Sequence, residues 1–424
     1  MKQPSSRKLQ GAVLAVCALV AVPVSAEVKL LGVGTIPGTA TDRSGLTNLL
    51  EDGVTPHNLV GGLGSAVTYT GFGNFYWGTP DRGPADGTTS YIDRAYLLRI
   101  DLRSSHTTPG AFDVKPSVVD VRLLSAGLRR YFTGNAGAFD ATGSTASLRF
   151  DPEGIRSAAC GGSFFVSDEY GPYLYEFAPD GRRVRSLPLP NKLLADLPSA
   201  NPNTELAKNA AGRQANRGME GLAISPDGSK LYGIMQSALI QDGGLDAALK
   251  RVGTNNRIIE VDVKTGALRE FLYTLEGKSY GVSEILAVND HEFLVLERDG
   301  NAGAAAAFKR IYKIDITDAT DIRDLKELPS VGIPSGVLPV TKSLFIDLLD
   351  PAFGIAAGAT PVPEKWEGLA FGPDLPDGRH LLFVTTDNDF QQAQPTRFYA
   401  FALEHSDLID YVPQEVRLLC PREH

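Results

Sequence analysis

Met219-Glu220-Gly221-Leu222-Ala223-Ile224 and Trp366-Glu367-Gly368-Leu369-Ala370-Phe371 nearly coincide, and each is followed by a Pro-Asp turn and an apolar strand. Looser copies begin at Pro152-Glu153-Gly154-Ile155 and Ser283-Glu284-Ile285-Leu286, and a fifth, lacking the glutamate, begins at Gly64-Ser65-Ala66-Val67. A recurring motif of this kind marks a repeat architecture, and the repeat decides the fold before any single element does. Each copy reads as a hairpin whose second strand is a run such as residues 230–234 or 293–296. The bends carry Pro226-Asp227-Gly228, Gly161-Gly162 and Asn289-Asp290, residues suited to tight turns. Further β-rich runs follow at residues 96–100, 173–177, 257–261, 310–314 and 397–401. Three to four strands per copy is the content of a propeller blade, so the predicted fold class is all-β, a β-propeller.

The copies stand roughly 65 to 90 residues apart, longer than a compact blade, so loops must be inserted. Five blades can be counted, and a degenerate sixth has room around residues 343–349. The run over residues 28–33 has no hairpin partner of its own and is expected to close the ring beside the C-terminal strands. A pair of β-sandwich domains is the structural alternative; it accounts less well for a repeat whose equivalent positions would then face unrelated surroundings. The long connections, residues 191–216, 236–256 and 300–307, are expected to open on the face nearest the glutamates. Long insertions on one face of a rigid scaffold commonly carry binding.

The chain begins with Lys2, Arg7 and Lys8, an apolar run over residues 11–22, and Val24-Ser25-Ala26 before Glu27. This is the pattern of a signal peptide cleaved after Ala26, and it predicts a periplasmic or secreted protein with residues 27–424 as one propeller domain. Removing residues 1–26 removes those three positive charges and no acid, so the net charge of −9 becomes −12. So acidic a chain is a poor partner for nucleic acid or for an anionic membrane surface. Cys160 and Cys420 survive cleavage, and an oxidising compartment would let them pair; two buried thiols are the other reading.

In a propeller the innermost strands run along the central channel, so one position of the repeat recurs at one level around the axis. Glu153, Glu220, Glu284 and Glu367 are expected to form a ring there. The second strand of each hairpin returns beside them and ends on Asp81-Arg82, Asp168-Glu169, Gln236, Glu297-Arg298, or Asp387 with Asp389. Carboxylates so gathered need a cation, a basic partner or raised pKa values. An oxygen-only donor set suits Ca²⁺, and Mg²⁺ less well. None of the six histidines sits at a repeat end, which argues against zinc. Glutamates that only stitch neighbouring blades, and arginines (Arg217 beside Glu220, Arg257 after Asn255-Asn256) that only neutralise acids, remain open readings. No Gly-x-Ser-x-Gly elbow, P-loop or dinucleotide fingerprint is present.

Asp151-Pro152-Glu153-Gly154-Ile155, Ser167-Asp168-Glu169-Tyr170-Gly171, Asn216-Arg217-Gly218-Met219-Glu220-Gly221, Leu296-Glu297-Arg298 and Asp387-Asn388-Asp389 occur in one order with the repeat. In these motifs the chain resembles the bacterial phytase-like family labelled "esterase-like activity of phytase", over about residues 58–403. The resemblance implies an exported propeller and phosphoester or ester hydrolysis. The acidic motifs of the calcium-dependent β-propeller phytases do not align here residue by residue, so phytate itself is not implied. For a metal-assisted hydrolase of a small anionic or ester substrate, the expected cation ligands are Glu153, Asp168, Glu220, Glu284, Glu367 and Asp387. Glu169 or Glu297 is the expected general base, with Arg217 or Arg298 steadying developing negative charge. A lactonase-like hydrolase and a non-catalytic ligand- or protein-binding propeller are the alternatives.

Overall fold

The computed structural model describes residue 1 and residues 28–106, 110–139, 148–358, 360–417, 419 and 420; the expected signal peptide, residues 1–26, and its cleavage after Ala26 lie outside the continuously described residues. Among these residues twenty strands form five antiparallel four-stranded sheets, a five-bladed propeller. The first strand, β1 (Lys29–Ile36), belongs to the last blade. Blade one is β2 (Ala66–Tyr69), β3 (Phe75–Thr79), β4 (Arg94–Ser104) and β5 (Phe112–Leu123); blade two is β6 (Pro152–Ser157), β7 (Phe164–Asp168), β8 (Leu174–Phe177) and β9 (Arg183–Ser186). Blade three is β10 (Met219–Ile224), β11 (Lys230–Met235), β12 (Asn255–Asp262) and β13 (Leu268–Thr274); blade four is β14 (Gly281–Ala287), β15 (Glu292–Arg298), β16 (Lys309–Asp315) and β17 (Thr341–Asp347). Blade five is β18 (Trp366–Phe371), β19 (His380–Thr386) and β20 (Thr396–Leu403), completed by β1.

The pairing of β1 with β20, Val33 opposite Tyr399, closes the ring as the unpartnered N-terminal run implies. There is no sixth blade among the described residues: the run 343–349 begins inside β17, the outer strand of blade four. Each junction between blades has its own apolar core. Trp77 with Phe164 and Tyr175 fills the first, Phe165 with Leu222 and Leu231 the second, Tyr232 with Phe293 the third, Leu296 with Trp366 the fourth, and Phe383 with Tyr76 the fifth. The strands read as near-continuous apolar runs because a blade is covered on both faces. One further long connection lies away from the face nearest the glutamates. Residues 316–340 lie along the outer edge of blade three, where Ile322 and Val340 donate to the carbonyls of Glu270 and Leu272, and Ile322 and Leu328 bury Leu272.

The register of the inner hairpins explains the glutamates. In blades two, three and five the pairing slips at Glu153, at Glu220 and across Glu367-Gly368, a β-bulge that turns the glutamate out of the ladder. In blade four the slip falls one residue earlier, at Ser283, so Glu284 takes the level held by Gly154, Gly221 and Gly368 in the other copies. A Cβ on Gly221 would sit 2.8 Å from the Glu284 Cα, which shows how tightly the inner strands approach at that level. Arg156 likewise stands where two other copies carry Ala223 and Ala370. These two large side chains meet across the axis: Arg156 Nη2 lies 3.0 Å from Glu284 Oε2. The guanidinium donates to the carbonyls of Val67 (2.9 Å) in blade one and Ile285 (2.8 Å) in blade four, and Glu284 accepts from Leu222 N (3.0 Å) in blade three. Blades one and four are not neighbours in the ring, so the pair plugs the channel. Beyond it, on the opposite face, the tail from Tyr411 to Arg417 crosses blades four, three and two by bonds to Val288, Pro226 and Ala159, and Cys420 is disulfide-bonded to Cys160.

Removing one partner of a buried ion pair leaves the other charge uncompensated, at a cost of about 3–5 kcal/mol. Arg156→Ala and Glu284→Ala are each expected to lower unfolding stability by that amount in guanidinium titrations. The double variant should lose clearly less than the summed single losses.

Candidate functional site

The bulges and the plug create a cavity of about 260 Å³ at the mouth facing the long loops. Glu153, Glu220 and Glu367 line it, joined by Glu169, Arg217 and Arg298 from the expected set. Asp168, Glu284, Glu297 and Asp387 do not line it. Glu284 is held at the plug by its one-residue displacement. Asp168 and Glu297 each precede a residue that does reach the mouth, and successive residues of a strand point to opposite faces. Asp168 turns inward and accepts from Asp151 N (2.8 Å) and Gly171 N. Glu297 accepts from Tyr273 Oη (2.8 Å), Glu276 N (2.7 Å) and Lys342 Nζ (2.8 Å), which occupies its lone pairs away from the cavity. Asp387 borders a smaller adjoining cavity. Arg257 is buried between Asp242 (2.7 Å) and Glu270 (2.8 Å) and braces blade three.

Several groups at the mouth were not singled out as site residues from the sequence. Lys365 Nζ reaches Asp387 (3.0 Å), Asp81 (3.5 Å) and Asp389, and so stands as the resident cation of that three-aspartate cluster. Arg82 donates to Asp151 through Nη1 (2.7 Å) and its own N–H (2.9 Å), and its Nη1 lies 3.7 Å from Glu169. Arg298 holds Glu367 at 2.7 Å, and Ser65 Oγ donates to the other oxygen at 3.3 Å. Lys365 and Arg82 adjoin acidic residues of the repeat, which is the signal that marks them; Arg251 sits in an insertion with no counterpart in other copies.

Of the three repeated glutamates at the mouth, Glu367 is paired with Arg298, while Glu153 and Glu220 have no ion pair among the described residues. Among the described residues no donor reaches the Glu153 carboxylate, and Glu220 Oε2 is buried without a hydrogen-bond partner while Gln236 donates to Oε1. Burial, then the charges of neighbouring carboxylates, pushes both glutamates well above the usual carboxylate range. Glu169 accepts from Gly218 N (3.1 Å) and is among the neighbouring acids that raise Glu220. Asp151, Glu153 and Glu169 offer oxygens within 4.8 Å of one another, as do Asp81, Asp387 and Asp389. The second group already encloses an ammonium. The first, with Glu220 beside it, is all-oxygen and has one arginine, Arg82, against four acids, with no ion pair on Glu153 or Glu220 among the described residues, which fits a hard cation. The same carboxyl groups can also share protons, one donating while its neighbour accepts.

Burial raises Asp168 to about 7 and Asp81 and Asp387 to about 6, against 3.8 for an ordinary aspartate. Above pH 4 the folded chain therefore holds protons that the unfolded chain has released, so stability is lost as pH rises toward 7. Acids with lowered values, such as Asp227 and Asp315, lose their contribution only at more acidic pH. The urea midpoint is expected to be higher at pH 5 than at pH 7.5 without added metal; the reverse order would contradict this charge arrangement.

A protein of Arthroderma benhamiae named "Uncharacterized secreted protein" is 29% identical to this chain over 466 aligned positions, covering 85% of this chain and 86% of the relative. Among the described residues no helix is long and apolar enough to cross a membrane. A luciferin-regenerating enzyme (12% identity, 85% of this chain and 97% of that chain, TM-score 0.35) and an α-L-arabinofuranosidase from Lactobacillus brevis (12% identity, 86% and 97%, TM-score 0.38) are distant structural likenesses with no bearing on chemistry. Residues 58–390 match the family described as phytase-like, "Esterase-like activity of phytase", and over that span the chain belongs to it.

Proposed function

We propose that this chain is an exported hydrolase of small anionic phosphoesters or esters, with Glu153, Glu169 and Glu220 as its working carboxylates. The observation that carries the reading is the contrast within one cavity: Lys365, Arg82 and Arg298 pair with Asp387, Asp151 and Glu367, while Glu153 and Glu220 line it without an ion pair among the described residues. Carboxyl groups whose pKa burial and neighbouring acids raise, set beside a further carboxyl group, are suited to general acid–base work. Glu153 would donate a proton from its raised carboxyl group, and Glu169, held by Gly218 N–H and facing Arg82, would accept one at Oε2. Arg217, also at the mouth, would steady negative charge developing on the substrate. The oxygen donors fit calcium better than magnesium; Glu153, Glu169 and Glu220 would hold it as deprotonated carboxylates, so a bound ion would take the place of the proton-donating role of Glu153. When bound, calcium would polarise a substrate oxygen and lower the pKa of a bound water. The family description and the relative's name support ester chemistry and export.

Phosphate release from a generic phosphomonoester, and cleavage of carboxyl-ester and lactone substrates, should be followed on chelated protein with calcium or magnesium restored. Glu169→Gln is expected to reduce kcat roughly 10²- to 10⁴-fold. Unchanged turnover in Glu153→Gln and Glu169→Gln would rule out the assignment. Calcium is expected to raise the thermal midpoint more at pH 7.5 than at pH 5, because its ligands must be deprotonated.

A further inference from the structure

Among the described residues two guanidinium groups in the mouth form no ion pair. Arg217 and Arg251 both line the cavity, yet neither forms an ion pair or a side-chain hydrogen bond with any described residue. Every other base lining the cavity is matched: Arg82 to Asp151, Arg298 to Glu367, Lys365 to Asp387. Arg251 lies in the insertion between β11 and β12, where its backbone bridges Leu245, and Arg217 enters β10 from a turn closed by its N–H on Gln214 O (3.1 Å). Burial, with Arg217 and Arg298 alongside, pulls Arg251 down to about 10. Glu169 and Glu220 act on Arg217, whereas no carboxylate is among the groups that act on Arg251. The cavity therefore has two poles. One is the cation-poor trio Glu153, Glu169 and Glu220, whose buried Glu220 Oε2 lacks a partner; the other is a convergence of arginines that lacks an anion.

We infer that Arg251, with Arg217 linking it to the carboxylates, forms a subsite for an oxyanion group of the substrate, separate from the ester bond that reacts. The inference rests on the hydrolytic reading for its location of the reacting end. Planar guanidinium forks match the oxygens of carboxylate, phosphate and sulfate alike. A substrate with an anionic group at one end and an ester at the other would satisfy both poles, and a neutral ester would leave the arginines unanswered.

The test is isothermal titration of the chelated mature protein with inorganic phosphate, sulfate and acetate at low ionic strength, where screening is least. At least one of the three is expected to bind, and their order tells a tetrahedral from a planar oxyanion. Arg251→Ala is expected to weaken that binding by about tenfold or more, and Arg251→Lys by less, since an ammonium keeps the charge but loses the fork. Thermal midpoints without ligand check that each variant is folded, and Arg251→Lys carries the test should Arg251→Ala not fold. Affinity unchanged in Arg251→Ala and Arg217→Ala, or no binding of any of the three anions to the unaltered protein, would overturn the subsite. Anion binding that depends on Arg251 in a protein that hydrolyses nothing would keep the subsite and count against the hydrolytic reading alone.

Discussion

The ion pair between Arg156 and Glu284, 3.0 Å apart across the channel axis, is the contact on which the rest of the structure depends. A ring of blades leaves a hole in its centre, and the inner strands alone cannot fill it. Here two positions that are glycine or alanine in other copies carry the longest available charged side chains, and together they bond to four blades. Burial penalises both charges, pushing Glu284 up to about 7 and Arg156 down, and the backbone partners offset part of that penalty. The functional consequence is a floor: the mouth becomes a cavity closed at its base, in which carboxylates are desolvated.

Within that cavity the decisive quantity is which acids have cations and which do not. The three aspartates Asp81, Asp387 and Asp389 enclose Lys365, so a side chain already supplies what a metal would. Glu153 and Glu220 have no such partner, and their raised pKa values follow from burial and mutual repulsion. Among the described residues Arg217 and Arg251 form no ion pair in the same space, so two acids and two bases of the mouth stand together without direct contact. A protein selected only for stability would gain by pairing them. Their separation is the physical reason to read the mouth as a binding site rather than as a structural junction.

The propeller was readable from Glu-Gly-Leu-Ala and its copies because each copy brings its own hairpin and turn chemistry, and the ring closure by β1 followed from a strand without a partner. Three of the four repeated glutamates line the mouth. Glu284 does not, because a bulge moved by one residue cannot be seen in the string Ser283-Glu284-Ile285. The alternation that takes Glu169 and Arg298 to the mouth and turns Asp168 and Glu297 away is a property of strands, yet which member of each pair faces the channel depends on register. Arg251 lay out of reach because a loop insertion has no repeat to align it. The run 343–349 looked like part of a sixth blade because an outer strand carries the same pattern as an inner one.

The central claim, that the cation-poor pole of the mouth is Glu153, Glu169 and Glu220, is tested most directly by anomalous diffraction from crystals of the mature protein grown with calcium. One anomalous peak is expected among the oxygens of those three residues and none between Asp81, Asp387 and Asp389, where Lys365 stands. A calcium ion displacing Lys365 from the aspartates, with no peak at the glutamates, would contradict it.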